Sequence, residues 1–174
     1  MIDPFATLGV ERRFDLDLTV LEKTHRELSR ALHPDRYSQS GASERRAALE
    51  KAASVNEAWR TVRDPIKRAE ALFRVHGIVV GEDNQPKATP AFLMAVLEER
   101  EALAAARAAK DLAKVQALGA VMGTQARDVE RKLAAGFARA SGPAAIAGLV
   151  PLLGELRFCR RFLDEVSAIE TESE

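Results

Sequence analysis

Cysteine is almost absent from this chain: Cys159 is the only one in 174 residues. One thiol closes no intramolecular disulfide and builds no cysteine-rich metal centre. Histidine is scarce too, and His25, His33 and His76 lack the helical pair spacing of a zinc site, so no metal and no cofactor is expected. Neither sign of charge is in surplus, with 26 Lys and Arg against 26 Asp and Glu. That balance leaves no global field for nucleic acid or anionic lipid, and recognition by charge falls to local patches. Long apolar runs are also missing. The longest, Ala144 to Leu153, is interrupted by Gly148 and Pro151 and is far below the length that crosses a bilayer. No basic stretch leads into an apolar one near the N-terminus, so no targeting peptide is expected.

One Tyr and one Trp leave little material for strands, and no run of alternating polarity is found. What is abundant is Ala, Leu, Glu and Arg, the residues that form helices most readily. The start signals are local and repeated. Asp3-Pro4 reads as an N-cap with proline at the first helical position, and Gly9 as the stop of a short helix. Asp17 caps the next helix, whose Leu21, Thr24, Leu28 and Leu32 fall on one stripe before Pro34 ends it. After a polar loop from Arg36 to Gly41, Ser43 is expected to start a third helix with Ala48, Ala52, Val55, Trp59 and Val62 facing inward. Asp64-Pro65 repeats the cap, and the fourth helix ends at Gly77.

Residues 78–88 carry Gly81, Asp83, Asn84 and Pro86 and read as a linker. Thr89-Pro90 then opens a helix reaching about Lys110. Asp111 caps another, with Val115, Leu118, Met122, Ala126, Val129, Leu133 and Phe137 as a seam. Ser141-Gly142-Pro143 turns the chain into a last helix. Its seam is Leu149, Leu152, Leu156, Cys159, Leu163 and Val166, with a kink or late start expected at Pro151 and Gly154 and a frayed tail over Glu170 to Glu174. The expectation is an all-α chain: a helical hairpin module over 1–77, a linker over 78–88 and a three-helix bundle over 89–172.

The sharpest local signal is His33-Pro34-Asp35 between two amphipathic helices. Pro34 fixes a backbone angle and holds His33 extended, so Asp35 becomes an anionic point on a stiff tip that loses little entropy on docking. Lys23, Arg26 and Arg30 share one helical face beside it, and Arg36 extends the positive patch past the turn. An acidic partner surface suits that patch. The plainer reading is a helix-stop turn beside a solvated basic face.

The run His33-Pro34-Asp35 between helices resembles the J-domain family. Phe5-Ala6-Thr7-Leu8-Gly9, Val55-Asn56-Glu57-Ala58-Trp59 followed by Asp64-Pro65, Arg68-Ala69-Glu70 and His76-Gly77 resemble its HscB branch. Ala91-Phe92-Leu93-Met94, Leu97-Glu98-Glu99-Arg100-Glu101 and Leu156-Arg157-Phe158 extend that likeness over nearly the whole chain. The resemblance implies a bacterial cytoplasmic co-chaperone of iron–sulfur cluster assembly. Its J-domain would stimulate an HscA- or DnaK-type ATPase through His33, Pro34, Asp35 and the basic face of Lys23, Arg26, Arg30 and Arg36. Its bundle would bind an IscU-type scaffold through the positions matching the family's surface: Leu93, Met94, Leu97, Glu98, Arg100, Glu101 and Phe158. No enzymatic activity of its own, no nucleic acid and no membrane partner is implied. The cysteine-rich zinc element of some family members has no counterpart in this sequence.

The residues support the bundle surface by a separate route. Phe92, Val96 and Leu103 already supply a core stripe, so Leu93, Met94 and Leu97 are surplus on a second face. Phe158 and Phe162 likewise fall off the seam of the last helix, although a wide core that packs both stripes is the alternative. Three rival functions remain: a J-domain adaptor for a different client, a small helical hydrolase using His33 and Asp35 as an acid–base pair, and a purely structural protein. Gly119 and Gly123 lie within a helix and form no phosphate loop, and Cys159 on its seam reads as a small core residue. Arg60, Arg63, Lys67 and Arg68 read as a solvated basic cluster.

Overall fold

The computed structural model describes residues 3–81 and 90–173. The expected linker residues 82–88 and the start signal at Thr89 lie outside them. The chain divides into two compact units, Met1–Val79 and Val80–Glu174. Among the described residues every regular element is helical.

The first unit is built on side-chain caps. Asp3 accepts from the backbone N–H groups of Phe5 and Ala6, starting α1 (Pro4–Leu8), and Gly9 ends it at φ 67°. Asp17 accepts from Thr19 and Val20 to start α2 (Leu18–Ala31). A short 3-10 turn over Pro34–Tyr37 reverses the chain into α3 (Ala42–Arg63), and Asp64 caps α4 (Pro65–Val75). Each capped donor would otherwise be an orphan at a helix start, and each cap is worth about 1 kcal/mol. The helix α3 begins one residue before the expected Ser43. Gly41 occupies the cap in extended conformation with no side-chain bond. Phe5, Leu8, Phe14, Leu21, Val55, Val62, Leu72 and Phe73 fill the centre of the unit.

Arg68 corrects one expectation. It is buried, not solvated, and its guanidinium stands 4.9 Å from the centroid of the Phe14 ring. Its neighbours on α4, Ala69 and Leu72, are core residues, so the charge enters the interior on the inner face of that helix and meets an aromatic face there.

The second unit is a bundle of α5 (Pro90–Ala108), α6 (Leu112–Arg139) and α8 (Val150–Glu172). Lys110 takes φ 55° in the turn between α5 and α6, and Asp111 caps α6 by accepting from the Lys114 N–H. Leu103, Val115, Met122, Cys159, Phe162 and Val166 belong to one core cluster. A short helix that the sequence did not signal, α7 (Pro143–Ala147), precedes α8. Pro151 falls in the first turn of α8, where its missing N–H costs no helical bond, so the proline marks a start and not a kink. Gly136 lets α6 approach this corner. A Cβ there would lie 2.4 Å from a methyl of Leu149. The expected fraying of the tail is not found up to Glu172, because Ile169 is buried and Glu172 accepts from Arg107 at 2.8 Å.

Candidate functional site

Two surfaces carry the residues singled out by the sequence, one in each unit. On the first unit, His33 sits in extended conformation at φ −63°, ψ 134° ahead of the 3-10 turn. Proline at the next position fixes this geometry. The Asp35 N–H donates to His33 Nδ1 at 3.4 Å, and the Asp35 carboxylate lies 3.5 Å from the same nitrogen. Ser38 Oγ donates to the Asp35 carbonyl at 2.9 Å, and Tyr37 OH donates to the carbonyl of Ala31 at the end of α2. The backbone of the tip is thus braced from both sides. The Asp35 side chain is 90% exposed and is offered to solvent from a fixed base.

Lys23, Arg26, Arg30 and Arg36 are all exposed, as the helical spacing requires. Arg26 donates to Glu22 one turn earlier, at 2.5 Å. No ion pair engages Lys23, Arg30 or Arg36 among the described residues. Three of the four cations therefore stand outside any ion pair among the described residues.

Sequence reasoning did not identify what aligns this rod. His25 stacks flat on Trp59, with centroids 4.8 Å apart and planes 9° apart. Its Nε2 lies 3.0 Å from Asn56 Oδ1 and 3.3 Å from Ser29 Oγ. The contact joins α2 to α3 on the side of α2 turned away from the basic face, one residue from Arg26. The available signal was weak: a histidine on α2 at the flank of the buried stripe, and Asn56 three residues before Trp59 on α3. Arg63 completes the stack, 5.7 Å from the Trp59 centroid.

On the second unit, Leu93, Met94 and Leu97 are 55%, 58% and 51% exposed. Glu98, Arg100 and Glu101 are exposed beside them. At about 100° per residue, Leu97, Glu101 and Ala104 lie nearly opposite the inward row of Phe92, Val96, Leu103 and Ala106. The surplus apolar face is therefore open, with three large side chains contiguous on one helix, more than scattered surface residues present.

Phe158 is not part of that open face. It is 7% exposed and belongs to the core cluster, edge-on to Phe92 at 6.0 Å and tilted against Phe162 at 6.1 Å. Phe162 is buried with it. Both were expected as surplus, and both are core. The physical reason is that α8 packs on α5 and α6 together, and a helix with two neighbours buries a broader arc than a two-helix seam. Phe158 stands behind α5, not on its outer face.

Burial pushes the Cys159 thiol up to about 11, with smaller contributions from the carboxylates of Glu99 and Glu155. Burial likewise raises the Glu99 carboxyl above its ordinary value. A fully enclosed, protonated thiol is neither nucleophile nor ligand. No group of His, Cys, Asp and Glu able to hold a metal occurs among the described residues. None of the described helices is long and apolar enough to cross a membrane.

A family model described as the HSCB C-terminal oligomerisation domain matches residues 88–167. The chain is 39% identical over 145 residues to a co-chaperone protein HscB homolog of Paraburkholderia phymatum, covering 81% of each chain. It is 35% identical over 164 residues to the homolog of Burkholderia cenocepacia, covering 94% of this chain and 91% of that one. Among solved structures, chaperone HscB from Vibrio cholerae superposes with a TM-score of 0.85 at 26% identity over 99% of this chain and 100% of the other. Human co-chaperone HscB superposes with a TM-score of 0.86 at 21% identity over 98% of this chain and 83% of the other, a likeness of fold.

Proposed function

The chain belongs to the HscB family of co-chaperones, and from that premise we propose that it couples an HscA- or DnaK-type ATPase to an IscU-type iron–sulfur scaffold in the bacterial cytoplasm. Residues 1–77 act as the J-domain, 78–88 as the linker and 89–172 as the scaffold-binding bundle. The observation that carries the reading is the 90% exposure of the Asp35 side chain on a backbone braced by His33, Ser38 and Tyr37.

Asp35 pairs with a cation on the ATPase. His33 and Pro34 hold its position, so little conformational freedom is lost on docking. Lys23, Arg26, Arg30 and Arg36 meet an acidic surface of the same partner, which steers the encounter and makes it sensitive to salt. At the bundle, Leu93, Met94 and Leu97 enter an apolar pocket of the scaffold, with Glu98, Arg100 and Glu101 as a polar rim. Phe158 supports this face from behind through Phe92. Linking the two sites in one chain raises the local concentration of scaffold at the ATPase. The chain itself does no bond chemistry: hydrolysis belongs to the ATPase, and the cluster is cargo on the scaffold.

The test is ATP turnover by a DnaK-type chaperone with this protein, with and without an IscU-type scaffold. Stimulation by the protein and a further rise with scaffold are expected. No stimulation under either condition would sink the assignment, and stimulation indifferent to the scaffold would point to another client.

A further inference from the structure

The polar loop that carries Asp35 is tied to both helices of its hairpin. On the α2 side, the Tyr37 hydroxyl donates to the Ala31 carbonyl at 3.4 Å. Within the loop, the Ser40 N–H donates to the Tyr37 carbonyl at 3.0 Å. On the α3 side, the Arg45 guanidinium donates to the Ser40 carbonyl at 2.6 Å. The three bonds lead from the last residue of α2, past the 3-10 turn, to the first turn of α3. The bond from Arg45 also stands where a cap would otherwise act. Asp3, Asp17 and Asp64 anchor the starts of α1, α2 and α4, but Gly41 makes no side-chain bond at the start of α3. A charged donor on a carbonyl is stronger than a neutral one, so a single bond can hold the loop end to the helix.

Arg36, Arg45 and Arg46 are three exposed cations close to the tip in sequence, and charge alone would assign all of them to the partner. The structure separates them. Arg46 is engaged with Glu50 at 3.0 Å, Arg45 holds the Ser40 carbonyl, and Arg36 enters no ion pair among the described residues. We propose that Tyr37 and Arg45 are positioning residues of the tip: they clasp residues 32–41 between α2 and α3, fix Asp35 before docking, and leave contact with the partner to Arg36. This rests on the ATPase reading above. Loss of either end frees the same loop, which must then be ordered on docking. Binding weakens, while the docked state stimulates as fully as before.

ATP turnover titrated with the full chain separates maximal stimulation from the concentration that gives half of it. Arg45→Gln and Tyr37→Phe each raise the half-saturating concentration by about three- to tenfold, with maximal stimulation and the unfolding midpoint unchanged. The double variant stays within about twofold of the worse single one, because the clasp is already open. Repeating the titration over a range of salt shows whose charge meets the partner. Arg45→Gln keeps the wild-type salt dependence, whereas Arg36→Gln flattens it. A flattened dependence in Arg45→Gln would make that residue a contact and overturn the proposal, as would unchanged half-saturation in the single variants or losses that multiply in the double. Hydrogen exchange on the free protein reads the clasp without the ATPase: the Ser40 amide exchanges faster in both variants while the amides of α4 do not, and an unchanged Ser40 amide would overturn the clasp. A wild-type chain that stimulates no chaperone would instead sink the ATPase reading, with the exchange result still deciding the clasp.

Discussion

The two units expose their candidate functional residues by opposite means. In the first, a single charged residue is displayed by a backbone that proline, histidine and two hydroxyls hold in place around the 3-10 turn. In the second, three apolar residues are displayed because α5 carries more hydrophobic surface than its two neighbours in the bundle cover. The tip offers local geometry and one charge, and the bundle face offers area. A change at the tip should therefore act without changing stability, and a change in the bundle should act through stability unless it lies on the outer face.

The largest expected effect is at the tip. Asp35→Ala abolishes ATPase stimulation yet leaves scaffold affinity and thermal stability unchanged, because the carboxylate is exposed. Full stimulation by that variant in a turnover assay would break the contrast. Next, Phe158→Ala removes a buried ring from the contact with Phe92 and Phe162 and costs about 3–5 kcal/mol of bundle stability in denaturant unfolding. Loss of scaffold affinity with no loss of stability would return Phe158 to the outer face. The double change Leu93→Ala and Leu97→Ala costs about 2 kcal/mol of scaffold binding, roughly thirtyfold, with an unchanged unfolding midpoint. Titration calorimetry reads the first and melting the second, and a fall in both would mean that these residues serve the core.

The smallest expected effect concerns pH. Burial raises the Cys159 thiol to about 11, so the folded bundle prefers the neutral form. That contribution is fully present below the thiol's unfolded value and is lost as pH climbs through about 11, because the unfolded chain ionises first. The melting temperature should fall over that range, and Cys159→Ala should flatten the fall. An equal fall in both proteins would assign it to other groups. Alkylation of the native thiol at neutral pH should be slow and should speed up on unfolding.

Much of this was legible from short-range pattern. Asp3, Asp17, Asp64 and Asp111 cap helices as read, since a cap needs only a carboxylate and the donors two or three residues on. The Leu93, Met94 and Leu97 surplus was legible because periodicity counts apolar residues against one stripe. The burial of Arg68 and Phe158 was not, because each depends on which helix packs against it, and the partners Phe14 and Phe92 are distant in the chain. The His25–Asn56 bond spans 31 residues and needed the hairpin closed before it existed. The short α7 also escaped, as did the tight approach of Leu149 to Gly136 that seats it.

By itself the sequence determined where helices start and stop, the stiff tip at His33-Pro34-Asp35 and the excess of apolar surface on α5. Those are matters of neighbours a few residues apart, governed by caps, proline and period. Only the tertiary structure decided the width of the core, and with it that Phe158 lies behind α5 and that Arg68 lies inside. Burial is a property of what stands opposite a residue, and that is settled only when distant helices pack.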